Sequence, residues 1–336
     1  MTQKSILFLA IILFTRINLV SAQSNEVKFL IDTCITILKQ SSVNAGSVNW
    51  NKIEKNALAK AAGIDNPYKL GPAIRYIYES INDFHGAFFY KDSTFKIAHH
   101  QKPVSDSIQK EWNKGINIKT EMLDKNIGYL RIPYMSTSSR QDNNNKAQKL
   151  NDSLCSLLEK NINGIVLDLR LNGGGDMHLM ILGVEQLLGE GSIGSFHTKK
   201  KEDWILKGNS FFEDTTVIVS ITPKCNINAQ NIPIVILTSP GTGSSGEFFV
   251  MAFKGRKRTI LLGDKTAGYV TAVAGLPVND AAYMYISVGY GADRNGKIYK
   301  EAIDPDIPFK GPDSFNNIKN DEKVKAAMKW LKLHIN

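Results

Sequence analysis

The sequence predicts an α/β protein, on three observations. From Ile127 onward, apolar strand-like runs alternate with helix-like ones. Residues 23 to about 90 instead carry apolar positions at helix spacing. Two turns of glycine and small residues each follow directly on a strand-like run.

Taken in order, the chain opens with Lys4, the apolar run Ile6 to Phe14, and Val20-Ser21-Ala22 before Gln23. That pattern predicts a signal peptide over 1–22, cleaved after Ala22 and too short between its charges to span a membrane. No cysteine follows the apolar run, which argues against a lipid anchor. A soluble mature protein, periplasmic or secreted, is expected, with no membrane insertion after cleavage. Residues 23–125 read as an N-terminal helical cap with a connecting segment. Val27, Leu30, Ile31, Cys34 and Leu38 repeat at helix spacing, Asn49 precedes a second helix ending near Gly63, and Pro72 starts a third through Ile81. Residues 91–125 are mixed and polar. Residues 126–336 form the core, with strands over 127–132, 164–170, 217–222, 234–239 and 259–263, and helices over 141–161, 176–189 and 246–254. Residues 199–232, rich in lysine and asparagine, read as an insertion or lid.

Composition narrows the function classes. The net charge of +9 falls to +7 once Lys4 and Arg16 leave with the leader. The remaining basic residues are scattered among acidic ones, without the stripe or module that nucleic-acid binding needs. Cys34, Cys155 and Cys225 have no metal-like spacing. Cys34 and Cys155 fall on apolar helical positions and read as small core residues, and the pair of any disulfide stays open. No metal or other cofactor is expected, and neither His99-His100 nor the isolated His197 and His334 has a metal-like partner.

The chemistry concentrates in the two turns. Ile234-Val235-Ile236-Leu237-Thr238-Ser239 leads into Thr242-Gly243-Ser244-Ser245-Gly246-Glu247, which opens a helix. Such a turn lifts a serine hydroxyl out at a sharp bend and aims the free N–H groups of the helix start at whatever that hydroxyl attacks. The strand Gly164-Ile165-Val166-Leu167-Asp168-Leu169-Arg170 leads likewise into Leu171-Asn172-Gly173-Gly174-Gly175-Asp176.

This pair of turns resembles the tail-specific, or C-terminal processing, serine proteases. Their relatives include the tricorn core protease and the interphotoreceptor retinoid-binding protein modules. Gly263-Asp264-Lys265-Thr266-Ala267-Gly268 and Ile303-Asp304-Pro305-Asp306-Ile307 extend the match over roughly residues 126 to 310. The resemblance implies a crotonase-like ββα superhelix, with Ser244 as nucleophile. The Ser245 N–H, and that of Gly174 or Gly175, would form the oxyanion hole. Glu247 matches the family motif and either braces the turn or sits as a plain first-turn glutamate favoured by the helix dipole. The PDZ domain that many such proteases carry needs roughly 80–100 residues, more than the interval before the core supplies.

One departure redirects the mechanism. Proteases of the Ser-Lys type place a lysine after the glycine of Thr-x-Gly, where this chain has Tyr269. Tyrosine, with a pKa near ~10, is a poor proton acceptor at neutral pH, and Lys265 does not occupy that position. The tricorn and retinoid-binding branch uses a histidine from a Leu-x-Asp-x-His-like segment instead, and Ile81-Asn82-Asp83-Phe84-His85 fits it. That branch orients its histidine with a late glutamate, for which Glu301 is the nearby candidate. A Ser244–His85–Glu301 triad is therefore expected, with His178 as the rival base.

Blander assignments compete with this one. Ser244 and Ser245 fit a simple helix cap, His85 a helix-end histidine, and Glu301 a solvated charge. Gly241-Thr242-Gly243-Ser244-Ser245-Gly246 also satisfies G-x-G-x-x-G, with Asp264 at about the spacing of a dinucleotide site. Few residues follow Asp264, however, and no further βαβ units are legible among them. The sequence therefore predicts a serine peptidase acting on a peptide or protein substrate. A catalytically silent binding module on the same scaffold is the alternative, and a dinucleotide-binding protein the more distant one.

Overall fold

A computed structural model describes residues 24–99, 102–136 and 139–335. The predicted leader at 1–22 lies outside the described residues. The N-terminal part consists of α1 (Asn25–Ser41), α2 (Trp50–Lys60) and α3 (Gly71–Ser80). Asn49 caps α2 by accepting the Lys52 N–H, as its position before the helix predicts. Next come β1 (Ala87–Tyr90), β2 (Ser93–Phe95), α4 (Asp106–Asn113), β3 (Lys119–Asp124), β4 (Ile127–Arg131), α5 (Arg140–Leu158) and β5 (Gly164–Asp168). The chain continues through α6 (Met177–Leu182), α7 (Glu185–Leu188), β6 (Gly191–His197), β7 (Lys201–Lys207), β8 (Ser210–Glu213), β9 (Thr216–Ser220) and β10 (Ile234–Thr238). It ends with α8 (Ser245–Phe253), β11 (Thr259–Gly263), β12 (Thr271–Asn279), β13 (Ala282–Asp293), β14 (Ile307–Pro308) and α9 (Glu322–His334).

Two sheets organise these elements into an α/β architecture. One runs β14-β11-β10-β5-β4-β3, parallel except for β3. Parallel strands need both faces covered, and the side chains alternate accordingly. Leu130, Ile165, Leu167, Ile234 and Ile236 join the core with α5, α6 and α8. Tyr129, Val166, Val235 and Leu237 face the opposite way, toward α9 and Ile108 of α4. The second sheet is antiparallel, in the order β2-β1-β13-β6-β7-β8-β9, with β12 also on β13. Phe88, Met284 and Ile286 on its buried face pack against the apolar stripes of α1 and α3.

Two sequence expectations need correction, and one left open is resolved. The helix expected over 176–189 is two, because α6 ends where Gly183 crosses α5; a Cβ at Gly183 would lie 2.7 Å from Leu150 Cδ2. The presumed insertion at 199–232 joins the sheet: β7 and β8, with β9 where a strand was expected, extend β6 as a meander, burying Trp204, Leu206 and Phe211 while the lysines face solvent. Cys155 is bonded to Cys225, tying α5 to the segment before β10, and Cys34 is the buried free thiol. Among the described residues, no helix is long and apolar enough to cross a membrane.

Candidate active site

The site forms where the carboxyl ends of β5 and β10 meet the start of β1, the position at which open parallel sheets present their ligand-binding turns. Each turn is tied to its sheet by polar side chains of its own motif. Asn172 accepts the Gly174 N–H at 3.0 Å through Oδ1, donates through Nδ2 to the carbonyls of Ile132 and Pro133, and accepts the Gly243 N–H through its carbonyl. Thr242 accepts the Ser239 N–H and donates to the Leu169 carbonyl at 2.8 Å, joining the serine turn to the glycine turn. Beneath them, Arg170 is fully buried and bonds to Asp168, Asp313 and Asp321, fastening the loop before α9 to the end of β5.

Ser244 holds φ +52° and ψ −122°, a left-handed conformation costing on the order of 1–3 kcal/mol for a residue with a Cβ. Glu247 is what over-determines it. Its fully buried carboxyl accepts the Ser244 N–H at 3.0 Å, the Gly268 N–H at 2.8 Å and the Thr266 hydroxyl. Burial raises its pKa to about 7, because these hydrogen bonds only partly offset the desolvation. Glu247 thus ties the bend to the Thr266–Gly268 segment by hydrogen bonds.

His85 Nε2 lies 3.2 Å from Ser244 Oγ. The other ring nitrogen, Nδ1, meets Thr271 Oγ1 at 2.9 Å, Thr271 meets Ser287 Oγ at 2.8 Å, and Ser287 donates to Asp83 at 2.7 Å. Each hydroxyl has one proton. Ser287 gives its proton to the carboxylate and so accepts from Thr271, which in turn accepts from His85 Nδ1–H. The chain fixes the tautomer, leaving the Nε2 lone pair toward Ser244. Burial lowers the His85 pKa to about 4, outweighing the more distant Asp83 charge, so the imidazole is neutral at neutral pH. Asp83 also accepts the Gly86 and Ser287 backbone N–H groups.

Glu301 does not occupy the place expected of it. It is exposed and makes no hydrogen bond or ion pair among the described residues. Thr271 holds the imidazole, and the nearest carboxylate in the relay comes from Asp83, two residues before His85. The Tyr269 ring sits beside His85 with centroids 5.0 Å apart and the planes inclined by 59°, and burial and the Glu247 charge raise its phenol pKa. It fills space beside the imidazole. Lys265 is exposed and paired with Asp304, and His178 lies between Asp176 and Glu213, both its nitrogens engaged. His100 lies outside the described residues.

Of the N–H groups expected to face an oxyanion, Gly174's is taken by Asn172. Gly175's has no partner among the described residues. The preceding carbonyl, of Gly174, accepts from Met135 N at 3.3 Å, so the trans peptide turns the Gly175 N–H the other way. Gly175 has φ +107°, and a Cβ there would meet the Met135 carbonyl at 2.3 Å, so only glycine fits. The Ser245 N–H opens α8 and is likewise free, while its hydroxyl donates to the Gly175 carbonyl at 2.8 Å. A cavity of about 420 Å³ opens beside Ser244, walled by Phe196, Phe248, Val273, Val288, Glu202 and Glu213.

The dinucleotide geometry is absent. Beyond Ser245, the α8 N-terminal N–H groups are used within the turn, and Asp264 is engaged by Lys102 and Lys323.

Comparison with known proteins gives the family. Residues 126–309 match peptidase family S41. The nisin-resistance protein of Lactococcus lactis is 30% identical over 242 residues, spanning 70% of this chain and 68% of that protein. The carboxy-terminal processing protease CtpA of Bacillus subtilis is 25% identical over 228 residues, spanning 64% of this chain and 44% of that protein. A lipoprotein structure from Streptococcus agalactiae superposes with a TM-score of 0.66 at 20% identity, over 92% of this chain and 97% of that one, a likeness of fold. With the serine turn, the glycine turn and the match over most of both in sequence order, the chain belongs to peptidase family S41.

Proposed function

We propose that the protein is a serine peptidase acting through an acyl-enzyme on Ser244, with His85 as general base and the N–H groups of Gly175 and Ser245 as the oxyanion hole. The observation that carries this reading is the 3.2 Å approach of His85 Nε2 to the hydroxyl of a strained Ser244, beside two unpaired N–H groups. In the first step the Ser244 proton passes to His85 Nε2 as Oγ bonds to the peptide carbonyl carbon. The two N–H groups hold the resulting oxyanion, and losing one such donor typically costs about 10²–10³ in rate. His85 then returns the proton to the leaving amine as the C–N bond breaks. Water, deprotonated by the same imidazole, releases the acyl group and restores Ser244.

Peptide or protein is the substrate class, on a crotonase-like core covered by the N-terminal helices, in a secreted or periplasmic setting that suits the Cys155–Cys225 disulfide. One observation favours the silent binding module: among the described residues no carboxylate touches His85 directly, and burial makes it a weak base. Labelling with a fluorophosphonate decides between the two. An adduct located on Ser244 by mass spectrometry, and absent in Ser244→Ala, supports the peptidase. No adduct on the folded protein, or one on Ser245, refutes it.

A further inference from the structure

The glycine turn is held from a side the mechanism does not use. Asp176 follows Gly175, and its backbone N–H donates to the Met135 carbonyl at 2.8 Å. Its Oδ1 accepts from His178 Nδ1 at 2.7 Å, and its Oδ2 from the Asn143 amide at 3.1 Å. Across the cavity, His178 Nε2 meets Glu213 Oε1, at the end of β8, at 2.8 Å. Among the described residues, this is the only hydrogen bond from the turn 172–178 to the meander β6 to β9. The cavity beside Ser244 has Gly175 to His178 on one wall and Phe196, Thr198, Glu202 and Glu213 of the meander on the other. One imidazole therefore bridges the two walls.

The charge of that imidazole follows from its partners. Both ring nitrogens meet carboxylate oxygens, which only accept, so both must carry protons. A neutral ring would turn a lone pair on one carboxylate at under 3 Å and lose that bond. Burial pulls the pKa of His178 down, but the Asp176 and Glu213 hydrogen bonds and charges outweigh it and raise it to about 9. The other groups facing the ring are Glu202 across the cavity and the edge-on Phe211 ring at 4.9 Å. Its own helix adds no further titratable residue.

We propose that His178, clasped between Asp176 and Glu213, is a positioning residue that locks the oxyanion turn to the β6–β9 meander and so aims the Gly175 N–H during acylation. This rests on the acyl-enzyme reading of Ser244. The clasp is a charged hinge pin: while His178 is doubly protonated both walls are fixed, and when it loses a proton one wall is released. Acylation then declines at alkaline pH although His85 stays neutral and competent.

The test uses the full chain and a fluorophosphonate reagent, with rate at saturation and reagent affinity determined separately across pH. Wild type should lose acylation rate with a midpoint near the pKa of His178, about 9. Glu213→Gln keeps the size of the side chain but removes one charge, so the midpoint should move down toward the ordinary histidine range. His178→Gln should be slower by about tenfold at all pH, one decade for about 1.4 kcal/mol of lost oxyanion alignment, with reagent affinity little changed and no such alkaline limb. Nitrogen-15 spectra of His178 in Ser244→Ala report the clasp without activity. Both ring nitrogens should be protonated at neutral pH, and Glu213→Gln should lower the midpoint. A Ser244 adduct in wild type, with the alkaline midpoint unmoved by Glu213→Gln or with His178→Gln at full rate, overturns the inference alone. A neutral His178 ring at neutral pH overturns it as well. No wild-type adduct overturns the acyl-enzyme reading and the acylation role with it, whatever the spectra show of the clasp.

Discussion

Thr271→Val separates the observed relay from the triad expected with Glu301. The substitution keeps the shape of the side chain and removes the hydroxyl that accepts from His85 Nδ1 and donates to Ser287. The Nδ1–H is left without an acceptor in a site dry enough to hold the imidazole pKa at about 4. An unsatisfied buried donor costs about 1–3 kcal/mol. The ring also gains access to the Nε2–H tautomer, which cannot take the Ser244 proton. At about 1.4 kcal/mol per decade, acylation should slow by roughly 5- to 150-fold. That is far less than the about 10⁴-fold loss when the carboxylate of a triad becomes an amide, because the group removed here is uncharged. The assay is the second-order rate constant for fluorophosphonate labelling of Ser244 near neutral pH, with the unfolding midpoint of each variant alongside. Thr271→Ser should retain most of the rate and Glu301→Ala all of it. A folded Thr271→Val protein that labels at the wild-type rate would refute the relay, as would a Glu301→Ala protein as slow as the valine variant.

The His85 ring should stay neutral from about pH 8 to about pH 5 and take a proton only near 4, as read from its nitrogen-15 shifts in Ser244→Ala; a midpoint between about 6 and 7 would place the imidazole in water. The same lowered pKa makes folding less favourable as pH drops below about 6.5, since the unfolded chain takes that proton first. The raised pKa of His178 acts oppositely, adding stability that is complete below about 6.5 and lost as pH rises through about 9. Arg170→Met should destabilise by about 3–5 kcal/mol in denaturant titrations, because it strands the buried Asp168 and Asp321 carboxylates. Reducing Cys155–Cys225, which spans 70 residues, should cost up to about 4 kcal/mol by loop entropy, and an unchanged urea midpoint would count against that contribution. Glu247→Ala should lower the melting temperature by several degrees and abolish labelling together, as it frees the strained Ser244 bend.

The sequence by itself determined the α/β class, the helical N-terminal segment and the two turns, because each is written in local periodicity and in glycine and serine at strand ends. Ser244, Ser245 and the pair Gly174 and Gly175 were legible for that reason, while the choice between the two glycines needed the Asn172 bond to the Gly174 N–H. His85 was legible through its short segment, and that segment also contained Asp83, the carboxylate of the relay. Only tertiary structure decided which groups reach the imidazole. Thr271 and Ser287 sit on neighbouring strands β12 and β13, about two hundred residues after His85, and carry no local mark that a register of paired strands will line them up behind Nδ1. Glu301 matched by chain order, yet the loop before β14 leaves it in solvent. The strands β7 and β8 were hidden for a similar reason: the lysines of β7 face water and its buried Trp204 and Leu206 repeat at period two over a short run, while β8 is only four residues long, so composition read as a loop. The charge states were the least legible. His85 and His178 are the same residue type, held near 4 and 9, and what separates them is whether the fold surrounds the ring with hydroxyl and aromatic neighbours or with two carboxylates.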